Sequence, residues 1–134
     1  MTYPISEIRD IGQQTVEMLK SEGIRTTISL LRSAKTPKQR LKLAETVGTD
    51  KERVLDWVTT ADRMRVKGVG WEYSELLRSV GVKTVQELKY RNPQKLVERM
   101  QEANKRKLVR LLPRRKTVER WIESAKKLPS LIRY

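Results

Sequence analysis

Apolar residues recur along this chain at helical spacing and nowhere at the alternating spacing of a strand. Val54, Trp57, Val58, Ala61 and Met64 fall at i, i+3, i+4, i+7 and i+10, one stripe down a helix face. Thr49-Asp-Lys-Glu52 has capping-box spacing just ahead of that stripe. Gly23 and Gly81 stand where helices should end, since glycine accepts the left-handed conformation common there. Thr26 and Thr84 follow where the next helices should begin, each with a hydroxyl to take a free first-turn amide. Pro37, Pro93 and Pro113 mark first turns or breaks. The pattern predicts an all-α fold of about nine or ten short helices.

The same pattern occurs twice. "IRDIGQQTVEMLKSEGIRTTISLL" (Ile8 to Leu31) lies over "VKGVGWEYSELLRSVGVKTVQELK" (Val66 to Lys89) at an offset of 58. Gly12 meets Gly70, Leu19 meets Leu77, Gly23 meets Gly81 and Thr26 meets Thr84. Ile8, Ile11, Met18 and Ile24 meet Val66, Val69, Leu76 and Val82, so apolar positions hold as well. Pro37 and Pro93 each open a basic helical stretch, and Trp57 and Ala61 then meet Trp121 and Ala125 at an offset of 64. The second copy is therefore a few residues longer in its middle. A duplication spanning nearly the whole chain predicts two repeats, residues 1–65 and 66–134, packed into one compact helical domain. Trp57 and Trp121 sit on equivalent apolar stripes and are expected in the core.

Charge separates the two copies. The chain holds 30 Lys and Arg against 16 Asp and Glu, a net of +14. Residues 1–65 contribute 12 basic and 9 acidic residues, and residues 66–134 contribute 18 and 7. Clustered cations release counterions from phosphates, so such an excess points first to nucleic acid. An acidic protein is the second partner class it admits. The chain has no Cys and no His, which removes thiol nucleophiles, imidazole bases and the commonest zinc ligands together. No phosphate-binding loop of the form G-x-x-x-x-G-K-[ST] occurs. We expect a non-catalytic protein with no metal, cofactor or small-molecule substrate. "MTYPISEIRD" lacks the basic and apolar runs of a signal peptide, and no apolar run approaches the roughly 18 residues of a membrane helix. A cytoplasmic protein without membrane contact is expected, nucleoid-associated if its partner is DNA.

The Gly68-Val69-Gly70 turn carries the chemistry. Glycine permits positive φ and leaves no Cβ in the way of an approaching group. Amides of the turn and of the following first helical turn point outward unpaired, and with the helix dipole they form a small anion site. "VKGVGWEYSELLRSVGVKTVQEL" resembles the helix-hairpin-helix motif, in which hairpin amides grip a DNA phosphate without reading bases. Two such units, with Trp-bearing helices between and after them, also resemble the domain-of-unknown-function family 4332, over roughly residues 3–130. The resemblance implies a fold of two tandem helix-hairpin-helix repeats. It implies phosphate contacts from the amides of Gly68, Gly70 and Trp71, with Lys67 as a charge partner, and duplex DNA rather than RNA as ligand. The first copy keeps Gly12 but has Asp10 where the second has Gly68, and that carboxylate repels an anion. Glu72, just past the intact turn, weakens the second site.

Two basic groups flank the intact turn. Arg63 and Arg65 lead into it. Downstream, Lys105, Arg106, Lys107, Arg110, Arg114, Arg115 and Lys116 concentrate charge around Pro113, interleaved with Leu108, Val109, Leu111 and Leu112. This reads as a phosphate-tracking face, the alternative being a merely solvated one. Trp71 either stacks on a base or sugar or covers a gap. "KLAETVGTDKERVLDWV" also has helix-turn-helix spacing, with Asp50 through Arg53 opening the second helix. Against that reading, the segment carries Glu45, Asp50, Glu52 and Asp56, which is poor for entering a groove, and ordinary helical corners often produce such spacing.

Overall fold

A computed structural model describes the chain apart from Met1, Leu108 and the side chain of Arg106. Among the described residues it contains eight α-helices, two single 3-10 turns and no strand, with one isolated bridge between Pro4 and Thr26. The fold is all-α. None of its described helices is long and apolar enough to cross a membrane.

The chain forms two compact units. The first runs to Asp62 and takes in Leu131–Tyr134. It holds a 3-10 turn at Ile5–Glu7, then α1 (Gln13–Ser21), α2 (Thr27–Ser33), α3 (Pro37–Val47) and most of α4 (Lys51–Arg63). Ile5, Ile8, Leu19, Leu30, Val54 and Val58 are fully buried in it. Thr26 and Thr36 close reciprocal capping boxes with Ser29 and Gln39. The cap of α4 differs from expectation: Asp50 Oδ1, not Thr49, accepts the Arg53 amide at 2.8 Å. Thr49 instead donates its own amide to Ala44 at 2.9 Å, closing α3 behind Gly48 at φ 75°. One residue serves one helix end, and the cap moves along by one. Arg40, buried, donates to the carbonyls of Ala34, Lys35 and Arg133 and so ties the C-terminal residues down.

The second unit is Arg63–Ser130. It contains α5 (Trp71–Ser79), α6 (Val85–Leu88), α7 (Pro93–Ala103), a 3-10 turn at Asn104–Arg106 and α8 (Arg115–Lys127). α8 packs against α6 and α7, and α5 against α7. Val66, Val69, Leu76, Leu77, Leu96 and Val118 fill the core with Trp121, whose ring lies 5.2 Å from that of Tyr73 at 56°. Tilted contact at that distance suits two aromatic quadrupoles.

Hydrogen bonds recur at the sequence offset. Ile11 donates to Ile8 as Val69 does to Val66, both at 3.0 Å. Ile24 donates to Leu19 at 2.9 Å as Val82 does to Leu77 at 3.0 Å, behind Gly23 at φ 81° and Gly81 at φ 86°. α3 and α7 have 11 residues each, and α4 and α8 have 13 each. The difference lies between those helices. Three residues join α3 to α4, whereas residues 104–114, eleven in number, join α7 to α8. That longer connection holds five basic residues and no acidic one.

Candidate nucleic-acid interface

α5 begins directly at the Gly68-Val69-Gly70 turn. Val69 is fully buried and anchors the turn, while Gly68 is exposed at φ 89°, where a side chain would be strained. Gly70 is the N-cap residue, at φ −92° and ψ −162°, and no side chain caps the helix start. That backbone suits any residue, and a Cβ at Gly70 would meet nothing within 4 Å. The fold itself gives no reason for glycine there. Elsewhere Thr26, Thr36, Thr84 and Asn92 cap their helices with side-chain oxygens, as Asp50 does for α4. Gly12 and Gly70, the two turn glycines, leave their helix starts without a side-chain cap, as Arg114 does ahead of α8.

The two turns are not equivalent at the preceding position. Gly68 has positive φ, whereas Asp10 does not, so the first turn follows a different backbone path and exposes a carboxylate. Around the second turn Lys67 is exposed, Trp71 is half-buried at the first position of α5, and Glu72 is exposed in its first turn. A carboxylate there opposes an anion at the helix start.

Arg63 and Arg65 require a correction. Arg63 is only 1% exposed. Its Nε donates to the Ser74 carbonyl and hydroxyl, each at 2.9 Å, and its Nη1 to the Lys83 carbonyl at 3.0 Å. Its Nη2 lies 3.6 Å from the Glu75 carboxylate. Arg65, also buried, donates to the Pro129 carbonyl at 2.8 Å. Both guanidiniums are internal braces with their donors directed at protein acceptors, so an outside phosphate does not reach them. Their place just ahead of the turn suggested surface cations, but residues 61–66 are all buried.

The downstream group divides differently. Lys105, Lys107, Arg110, Arg114, Arg115 and Lys116 are all exposed. They do not lie on one helix. Lys105 ends in the 3-10 turn, Lys107 takes positive φ at 55°, and α8 starts only at Arg115. The connection is nevertheless anchored. Val109 and Pro113 are buried, the Val109 amide donates to Asn104 Oδ1 at 3.0 Å, and Tyr73 Oη donates to the Leu111 carbonyl at 2.8 Å. Lys105 pairs with Glu102 at 2.9 Å and Arg115 with Glu119 at 3.0 Å, exposed pairs that cost little to open. The side chain of Arg106, and Leu108 with it, lie outside the described residues.

Sequence reasoning missed what the turn faces. Lys67 and Gly68 form one wall of a groove of about 540 Å³, and a face of α8 forms the other. That face presents Thr117, Arg120, Ser124 and Lys127, spaced three, four and three residues apart. The helical period was readable beside the apolar stripe of Trp121, but not its meeting with Gly68. Among the described residues, no group of three or more acidic side chains is arranged to hold a metal ion.

The fold and this surface define an all-α, strongly basic chain whose second unit presents a bare helix start among exposed cations. Residues 9–128 match the family described as Domain of unknown function (DUF4332), and the chain belongs to that family. No curated relative and no solved structure matches it.

Proposed function

We propose that this is a non-catalytic nucleic-acid-binding protein, built from two helix-hairpin-helix units, that grips phosphates of duplex DNA without reading its sequence. The observation that carries this reading is Gly70. The fold tolerates a side chain there, and side-chain oxygens cap α2, α3, α4, α6 and α7, yet no side chain caps the start of α5. A phosphate oxygen is the acceptor such amides suit. The hydrogen bonds that recur between residues 8–24 and 66–82 support a duplicated hairpin. Asp10 makes the first hairpin a structural element and the second the binding one.

The charge supports the same reading. The second unit holds 19 basic and 7 acidic residues, against 11 and 9 in the first. Exposed Lys107, Arg110, Arg114 and Lys116 add a sequence-independent electrostatic term, while Lys67 stands at the hairpin itself. The test is duplex binding by fluorescence anisotropy at low salt, wild type beside Gly70→Glu. The variant should bind at least about tenfold more weakly, as one charge-assisted phosphate contact is lost and a repulsive one gained. Equal binding by both, or none by either, contradicts the proposal. Nuclease-insensitive capture of one acidic protein, with no duplex binding, points instead to a docking module.

A further inference from the structure

Trp121 has an unspent donor. It is only 2% exposed and its ring is fixed in the core against Tyr73. Its indole N–H nevertheless makes no hydrogen bond within the described protein, and the residue lines the groove beside Lys67 and Gly68. The Trp121 N–H, unlike that of Trp57, is not sealed from solvent, so a ligand in the groove can offer it an acceptor. The position of Gly68 bears on this directly. A Cβ there would stand 3.5 Å from Trp121 Nε1, over the very atom that lacks an acceptor. The bare Cα leaves the N–H approachable from the groove.

The rest of the groove has the same polarity. Lys67, Arg120 and Lys127 bring three cations, and Thr117 and Ser124 bring two hydroxyls. The one carboxylate, Glu123, is paired with Lys126 at 3.0 Å. A site made of donors around this N–H selects a compact anion with several acceptor oxygens. We propose that this groove is a phosphate site distinct from the hairpin amides, in which Trp121 Nε1 donates to a phosphate oxygen held by Arg120 and Ser124. The phosphate comes from a nucleic-acid strand lying across α8 or from free inorganic phosphate. The site stands on its own observations and does not depend on hairpin binding.

The indole N–H is its own reporter. In a 1H–15N correlation spectrum, Trp57, Trp71 and Trp121 give three indole signals that triple-resonance assignment separates. Inorganic phosphate, titrated at constant ionic strength against chloride, should move the Trp121 signal saturably. Arg120→Gln and Ser124→Leu, both at groove positions outside the core, should each weaken that response about tenfold. A duplex titrated into the same samples identifies the source. Movement with duplex assigns the site to the strand, and movement with inorganic phosphate alone assigns it to the free ion. Either outcome supports the site. A Trp121 signal unmoved by both ligands, or one that responds undiminished in both variants, overturns it. Duplex binding read by anisotropy in parallel judges the hairpin separately, since its absence beside a phosphate-responsive Trp121 removes that reading and leaves this one.

Discussion

At the scale of single residues, burial decides which cations are available to a ligand. Arg63 and Lys67 are four positions apart, carry the same formal charge and do opposite work. Arg63 donates to Ser74 and Lys83 and lies in ion-pair range of Glu75 inside the second unit, so removing it leaves acceptors without donors and a carboxylate without its counter-charge. Arg63→Ala should cost about 2–4 kcal/mol, read as a lowered urea midpoint at unchanged m-value. Lys67→Ala should leave the midpoint in place and reduce the salt dependence of duplex binding by about one phosphate contact. If Lys67→Ala destabilises as much as Arg63→Ala, the division between brace and binder is wrong. Charge is legible in a sequence, and burial is legible only where period and neighbours agree. Met64 and Val66 flanked the two arginines with the right signal, since a residue held between buried neighbours is seldom free.

At the scale of elements, the helices were legible because their ends are chemically marked. Thr26, Thr84, Pro37, Pro93, Gly23 and Gly81 each act at the end expected of them. The connection 104–114 was not legible in the same way. Its alternating basic and apolar residues read as one amphipathic segment, whereas the chain leaves helix geometry after the 3-10 turn. It buries Val109 and Pro113 and turns its charges outward. The matched three-residue turn between α3 and α4 carries no such charge. The expanded connection is thus the element in which residues 66–134 most depart from residues 1–65. The triple variant Lys107→Gln, Arg110→Gln, Arg114→Gln should lower the slope of log affinity against log salt by about 2–3, with the melting temperature unchanged. An unaltered slope would remove this connection from the interface.

At the scale of the whole chain, the uneven distribution of charge needs no structure to be seen, because counting residues does not depend on where they fold. The second unit's excess of 19 basic over 7 acidic residues sets up the field that draws a polyanion, whatever contacts follow. The groove is the opposite case. Gly68 and Trp121 are separated by more than fifty positions, and nothing local in either segment announces the other. The central claim, however, rests on one atom group: the bare amides that open α5 at Gly70. Gly70→Ser tests it most directly, because the extended backbone at Gly70 suits a serine cap. The account predicts opposite changes in one protein. The serine hydroxyl should take an amide and hold or raise the melting temperature, while duplex affinity at low salt falls several-fold as that amide is withdrawn from phosphate. Affinity equal to wild type in a well-folded Gly70→Ser variant would contradict the claim that these amides hold the ligand.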